Sequence, residues 1–259
     1  MNKYRLTTLS AISASLLVFG FVACGGGGDA KPTAETSAPA PVSEAAAGGG
    51  AINGVINYSN GDPDTVIKME ADPVCLGLHA EPVETETIVA ADGKLANVFV
   101  YVKEGISGSY SPPDEAELLN QEGCTYSPHV AGIMTGQTLV IRNSDSTLHN
   151  VHALPQNNEE FNQGQPFQGM ELEKEFDTQE VMVRFKCDVH PWMGAYLGVL
   201  DHPFFAVSGA DGSFEIDGLP AGDYVIEAWH ETLGTQTQSV SVAADGAVGV
   251  TFDFSPAAG

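Results

Sequence analysis

From Ala51 to the C-terminus, short runs rich in Val, Ile, Phe, Tyr and Thr alternate with clusters of turn-forming residues. Many clusters contain Asn-Gly or Asp-Gly pairs, which favour tight reversals between strands. No segment keeps a helical hydrophobic period over a dozen residues, so the pattern predicts an all-β fold built from sandwiches. The predicted strands are Ile52 to Tyr58, Asn97 to Lys103, Thr138 to Asn143, Val181 to Phe185, Tyr196 to Leu200, Phe214 to Ile216, Tyr224 to Trp229, Gln236 to Val242 and Val248 to Phe254.

The N-terminus has the pattern of an export signal. Lys3 and Arg5 precede an apolar run from Leu6 to Val22 that is interrupted by Ser and Thr. This run is too short and too weakly flanked for a membrane-spanning helix. Residues 1–23 are therefore predicted to be a secretory signal peptide.

The signal ends in Phe-Val-Ala-Cys at residues 21–24. This ending resembles the lipobox of bacterial lipoproteins, in which the cysteine is lipidated and becomes the first mature residue. The resemblance implies that Cys24 anchors an exported protein to a membrane, in the periplasm or at the cell surface. Phe21 replaces the usual Leu, which leaves ordinary signal cleavage as the alternative. Residues 24–50, mostly Gly, Ala, Pro, Ser and Thr, predict a flexible linker.

The charge of the chain restricts its partners. Ten Lys and Arg residues face 34 Asp and Glu residues, for a net charge of −24. Such an acidic protein is a poor ligand for nucleic acid. The acidic residues predict a solvated surface, and a basic redox protein is the more specific partner that they would suit.

Residues 187–193, Cys-Asp-Val-His-Pro-Trp-Met, place a thiolate, an imidazole and a thioether directly after a predicted strand. Soft sulfur combined with imidazole is the ligand set that copper prefers. The thioether and the single thiolate argue against zinc. A second imidazole follows another predicted strand, at His149 in the sequence Arg-Asn-Ser-Asp-Ser-Thr-Leu-His-Asn-Val of residues 142–151.

Together the two motifs resemble the cupredoxins over roughly residues 125 to 201, and the C-x2-H-P-aromatic-M spacing is similar to the short loop of amicyanin. The resemblance implies one type 1 copper ion in a Greek-key β-sandwich that carries single electrons. His149, Cys187 and His190 would form its trigonal plane, and Met193 would be a weak axial ligand. Asn150 would join the two ligand loops by hydrogen bonding. Taken singly, each ligand has a plainer interpretation as a core or turn residue.

His152 competes with His149 for the metal, but strand alternation turns the two side chains to opposite faces. The other histidines have no comparable context and are predicted to be structural or exposed; they are His79, His129, His202 and His230.

Cys75 and Cys124 remain after the lipid and copper cysteines are assigned, and they are predicted to pair in an oxidising compartment. A bridge between them would contribute about 4 kcal/mol; two buried thiols are the alternative.

The C-terminal part contains Asp-Gly-Ser-Phe at residues 211–214 and Gly-Leu-Pro-Ala-Gly-Asp-Tyr at residues 218–224. These phrases resemble the second half of carboxypeptidase regulatory-like domains, which are small β-sandwiches. The missing half would lie near the Gly-Val-Ile of residues 54–56, with the middle of the chain inserted between the halves. The predicted division is 51–86 for N-terminal strands, 87–203 for the copper domain and 204–259 for the regulatory-like sandwich.

Electron transfer is therefore the predicted function. Copper sequestration or delivery with the same ligands is one alternative, and a structural surface module with a vestigial copper pocket is another. Enzymatic reduction would need a second copper centre, and the sequence contains no second ligand set of comparable quality. The chain is accordingly predicted not to be an enzyme.

Overall fold

The structure is a computed structural model, and it describes residues 49–59, 61 and 65–256. The predicted signal peptide, the predicted lipid site at Cys24 and nearly all of the predicted linker lie outside the described residues. Within the described ranges, no helix has the length and hydropathy needed to cross a bilayer.

The described residues are almost entirely β, which confirms the predicted fold class, and every predicted strand is present. The elements are β1 (Gly50–Tyr58), α1 (Pro73–Gly77), β2 (Ala90–Ala91), β3 (Lys94–Leu95), β4 (Phe99–Glu104), β5 (Glu117–Glu122), β6 (Thr125–Ser127), β7 (Val130–Met134), β8 (Leu139–Asn143), β9 (His149–Leu154), β10 (Phe161–Gln165), β11 (Glu171–Lys174), β12 (Glu180–Lys186), β13 (Gly194–Leu200), β14 (Phe205–Val207), β15 (Ser213–Leu219), β16 (Gly222–His230), β17 (Gly234–Val242) and β18 (Ala247–Phe254).

Strands β5 to β13 form a unit that we call the central sandwich. One sheet has the order β10-β9-β12-β13-β7 and the other has the order β11-β8-β5-β6. Two parallel pairs, β13 with β7 and β5 with β8, occur among otherwise antiparallel ladders. Both sheets contribute to one apolar core, because alternate side chains of each strand point inward.

The strands before and after the central sandwich build a second unit, the split sandwich. Strand β1 pairs antiparallel with β15 and parallel with β18, although about 160 residues separate β1 from β15. In the facing sheet, β4 lies between β14 and β16. A second apolar core unites these strands. The central sandwich is thus an insertion between β4 and β14.

Two predicted boundaries differ from this arrangement. The predicted copper domain of 87–203 includes residues 90–104, yet β2 to β4 pair within the split sandwich. The physical reason is that four consecutive residues of β4, Phe99–Val102, are buried and need cover on both faces. Conversely, residues 66–84 contribute Met69 and Cys75 to the core of the central sandwich.

The two sandwiches meet around the ring of Phe99. Gly132 of β7 and Gly198 of β13 are partners in the parallel ladder. A Cβ atom at Gly198 would lie 2.3 Å from the Phe99 ring, and one at Gly132 would lie 2.5 Å from the ring of Phe205. Glycine at both positions therefore allows the aromatic rings to contact the strand backbone.

We expect Gly198→Ala to lower the free energy of unfolding by about 1–3 kcal/mol, because the new methyl group would overpack the interface. Chemical denaturation measures the change. Gly164→Ala is the matched control, since Gly164 also lies in a strand and a Cβ there would contact nothing within 4 Å. Equal stability of the two variants would contradict this account of the interface.

Candidate metal centre

Strand pairing brings the two sequence motifs to one end of the central sandwich. His149 is the first residue of β9, and Cys187 directly follows the last residue of β12, which pairs with β9. His190 and Met193 lie in the tight connection between β12 and β13. In this loop the Met193 N–H donates to the His190 carbonyl at 3.0 Å, and the Cys187 N–H donates to the Met193 carbonyl at 3.3 Å.

Three of the four predicted ligands lie within reach of a single ion. The Nδ1 atoms of His149 and His190 are 2.9 Å apart, and Cys187 Sγ lies 3.7 Å from His190 Nδ1. The donor atoms of all three residues lie within 4.8 Å of one another. Met193 is equally buried and packs in the same apolar core as Cys187.

Each imidazole is oriented by a carboxylate at its far nitrogen. His149 Nε2 lies 2.8 Å from Asp145 Oδ2, and His190 Nε2 lies 3.0 Å from Asp72 Oδ2. A carboxylate accepts from the N–H, so this contact keeps the hydrogen on Nε2 and leaves the lone pair on Nδ1. Two lone pairs 2.9 Å apart repel each other. A proton or a metal ion between them removes that repulsion.

The surroundings of the Cys187 thiol favour its ionised form. Burial by itself raises its pKa, but hydrogen bonds with His149 and His190 and with the backbone N–H groups of Asn150 and His190 outweigh burial and lower the pKa to about 6. The backbone nitrogen of His190 lies 3.4 Å from the Cys187 sulfur, to which its N–H donates. The thiolate is the form of cysteine that binds metals.

The pKa values of the two histidines shift upward, opposite to that of Cys187. Burial lowers the pKa of the His149 imidazole, but hydrogen bonds with Asp145 and Cys187 outweigh it, and the net pKa is raised. His190 behaves in the same way through Cys187 and Asp72. These opposite pKa shifts favour transfer of the thiol proton to an imidazole. A metal ion that binds there displaces this proton.

Two other groups of metal-binding side chains lie close by, and each includes a cysteine of the Cys75–Cys124 pair. Those two cysteines are joined as a disulfide, so they offer no thiolate. Among the described residues, Cys187 is the free cysteine. One thiolate, two imidazoles and a neighbouring thioether fit the donor preference of copper.

The Asn150 side chain bonds residues of two neighbouring segments. Its Oδ1 accepts a hydrogen bond from the Asp188 N–H at 2.5 Å, and its Nδ2 donates to Asn162 Oδ1 at 2.5 Å. Asp188 belongs to the loop that carries Cys187 and His190. The Asn150 side chain thus connects the two ligand-bearing segments.

The competing histidine lies elsewhere. His152 bonds Asp188 through Nδ1 and Glu160 through Nε2, both at 3.0 Å, and it remains partly exposed. The remaining histidines have structural partners in the described region: Gly123 O for His79, Glu231 for His129, Val102 O for His202 and the Thr232 N–H for His230.

Sequence reasoning missed both orienting carboxylates. Asp145 lies four residues before His149 in the same motif, so its position was a usable signal. Asp72 lies 118 residues before His190. The only signal near it in the sequence was Cys75, three residues later, which was predicted to form a disulfide. Trp192, in the ligand loop, is partly buried; its ring centroid lies 5.2 Å from that of His190, and its Nε1 donates to the Cys124 carbonyl.

Comparison with known proteins gives no sequence family. No protein-family model and no curated protein matches the chain. Among solved structures, it is similar to a purple cupredoxin from Nitrosopumilus maritimus, with 23% identity, 32% of this chain and 98% of that chain covered, and a TM-score of 0.28. It is also similar to an amicyanin mutant in its Cu(I) form, with 18% identity, 39% and 97% covered, and a TM-score of 0.30.

A third similar structure is a copper-containing nitrite reductase from Thermus scotoductus SA-01, with 18% identity, 38% of this chain and 25% of that chain covered, and a TM-score of 0.32. Scores of this size carry no weight for assigning the site. Its interpretation rests on the residues and distances described above.

We expect the thiolate absorbance of Cys187 in the metal-free protein to appear with a midpoint near pH 6, because the two imidazoles stabilise the anion. An ordinary thiol would ionise near pH 8.5, at about its usual pKa. Ultraviolet titration measures the step, and Cys187→Ser provides the baseline. A midpoint at the ordinary value would contradict the predicted contact between the thiol and the imidazoles.

Proposed function

We propose that the chain binds one copper ion through His149, Cys187 and His190, with Met193 as a weak axial ligand, and that it carries single electrons. The observation that carries this proposal is the pair of Nδ1 atoms 2.9 Å apart beside the Cys187 sulfur. Carboxylates hold the far nitrogens, so both lone pairs face the same point.

The surroundings of the site suit electron transfer. When bound, copper supplies a one-electron change between Cu(I) and Cu(II). The protein's part is to hold the ligands still: the two imidazoles are fixed by carboxylates, and the ligand loop is fixed by the Asn150 amide. Little then has to move when an electron arrives or leaves.

Burial also favours this function over copper delivery. His149 is 0% exposed, His190 is 1% exposed and Cys187 is 2% exposed. A delivery protein must hand its metal to another set of ligands, which requires access to at least one of its own. An electron can pass through an aromatic neighbour such as Trp192 without any ligand being exposed.

We further propose that the protein is exported, anchored through lipid on Cys24, and served by a redox protein with a basic contact surface. The Cys75–Cys124 disulfide supports export, because such bonds persist in oxidising compartments. The net charge of −24 supports a basic partner. Mass spectrometry of the mature protein tests the anchor: acyl chains on an N-terminal Cys24 are expected, and an unmodified N-terminus would oppose it.

Copper loading tests the site directly. We expect the Cu(II) protein to show an intense visible band near the red end of the spectrum, which arises from charge transfer between the Cys187 thiolate and copper. Cys187→Ser should lose this colour even if the imidazoles still hold some copper. A pale Cu(II) protein with a spectrum unchanged in Cys187→Ser would reject the proposed ligand set.

Met193 should tune the centre rather than hold it, because an axial thioether bond is long and weak. Met193→Leu is expected to keep copper bound and to raise the reduction potential, since losing an axial donor disfavours Cu(II) more than Cu(I). Voltammetry measures the change. Met134→Leu, another buried methionine outside the ligand loop, is the control. An unchanged potential in Met193→Leu would show that another group is the axial ligand.

A further inference from the structure

Each of the two carboxylates that orient the imidazoles also accepts a hydrogen bond from the backbone of a disulfide-bonded cysteine. Asp72 Oδ2 faces His190 Nε2, while its Oδ1 accepts from the N–H groups of Val74 and Cys75 at 2.8 and 3.1 Å. This aspartate caps the short helix α1 that carries Cys75. One side chain therefore fixes the position of both a proposed ligand and a half-cystine.

Asp145 repeats this arrangement on the other side of the site. Its Oδ2 lies 2.8 Å from both His149 Nε2 and the Cys124 backbone nitrogen, and its Oδ1 accepts from the Gly123 N–H at 2.8 Å. Cys124 has a positive φ of 54°, a conformation that non-glycine residues adopt only where local contacts hold it. The second aspartate thus also contacts a ligand and a half-cystine.

The Cys75–Cys124 disulfide connects the two halves. We call Asp72, Cys75, Cys124 and Asp145 the positioning network. Cys75 Sγ lies 3.5 Å from His190 Nε2, so the bond itself contacts a ligand ring. The network runs from one imidazole to the other without passing through the space between their Nδ1 atoms.

The two ends of the network are not held equally. Asp145 lies four residues from His149, and its own N–H donates to Asn143 Oδ1 at 2.9 Å, so the local turn fixes it. Asp72 belongs to residues 66–84, which contain a helix of only five residues. His79 anchors this segment through Gly123 O at 2.7 Å, and the disulfide supplies its covalent attachment.

We propose that Asp72 and Asp145 are positioning residues for the copper ligands, and that the disulfide makes the His190 contact depend on the redox state of Cys75 and Cys124. A dithiol reductant would break the S–S bond by giving two electrons and two protons, which yields two thiols and oxidises the reductant to a disulfide. Asp72 would then leave His190, and the site would loosen on that side. This inference rests on the proposed function.

The first test uses the metal-free protein and needs no copper chemistry. In wild type, nuclear magnetic resonance should detect Nε2–H protons on His149 and His190 that exchange slowly with water. In the Cys75→Ala/Cys124→Ala double variant, the His190 signal should be lost, whereas the His149 signal should persist because Asp145 is held locally. A general loss of structure would remove both signals, so the asymmetry is specific to the proposal.

The second test measures copper affinity by competition with a chelator. We expect Asp72→Ala and the double cysteine variant each to weaken binding about 10–100-fold, the range typical for residues that orient metal ligands. Asp72→Asn should recover only part of the loss, because its single amide oxygen can replace either Oδ2, which accepts from His190, or Oδ1, which accepts from the helix N-terminus, but not both. Asp211→Ala is the matched control, because Asp211 also accepts from a backbone N–H, at Ser213, in the split sandwich.

The outcomes separate this inference from the function on which it rests. A protected His190 proton in the double variant, with affinity within twofold of wild type, would overturn the positioning network and leave the copper site intact. Failure of wild type to bind copper would overturn the proposed function. If the His190 proton were still lost selectively in that case, the positioning of the imidazole by Asp72 would stand.

Discussion

The site depends on one electrostatic constraint, which is that two buried imidazoles turn their unprotonated nitrogens toward the same point. Such an arrangement is unfavourable by itself, because two lone pairs at hydrogen-bond distance repel each other. Carboxylates at the far nitrogens impose it, and the thiolate of Cys187 makes the shared space attractive to a cation. A cation bound in this space removes the repulsion, and the donor set there suits copper.

The fold meets this constraint with elements that are far apart in the chain. Neighbouring strands β9 and β12 bring His149 and Cys187 together, and the short loop before β13 adds His190 and Met193. The carboxylate for His190 comes from residues 66–84, which precede the central sandwich and pack against its core. The same segment contributes Cys75 and Met69 to that core, so packing and ligand orientation are coupled.

The split sandwich contributes residues that lie beside the ligand loop. Its strands come from both sides of the insertion, so the chain passes between the two units twice, from β4 to β5 and from β13 to β14. Trp192 and Met193 face a cavity of ≈ 270 Å³ that also includes His129 and Glu231. His129 Nε2 bonds Glu231, which follows β16 of the split sandwich. The ligand loop is therefore flanked by both units.

Features that depend on neighbouring residues could be predicted from the amino-acid sequence. Alternating apolar runs and turn residues predicted the strands, because side-chain direction in a strand depends only on neighbouring residues. The spacing of Cys187, His190 and Met193 predicted a ligand loop for the same reason, since one tight connection carries all three. The strand Phe99–Glu104 could be recognised as a strand, but its membership of the split sandwich could not.

Contacts between groups that are distant in the chain could be known only from the folded structure. Asp72 caps the short helix α1 locally, but its contact with His190 depends on the path of residues 66–84 over the central sandwich. The cysteines could be paired by elimination, but their proximity to the imidazoles could not be inferred. Long-range contacts follow from packing and sheet topology, which sum over many residues, whereas a motif records only the few residues beside it.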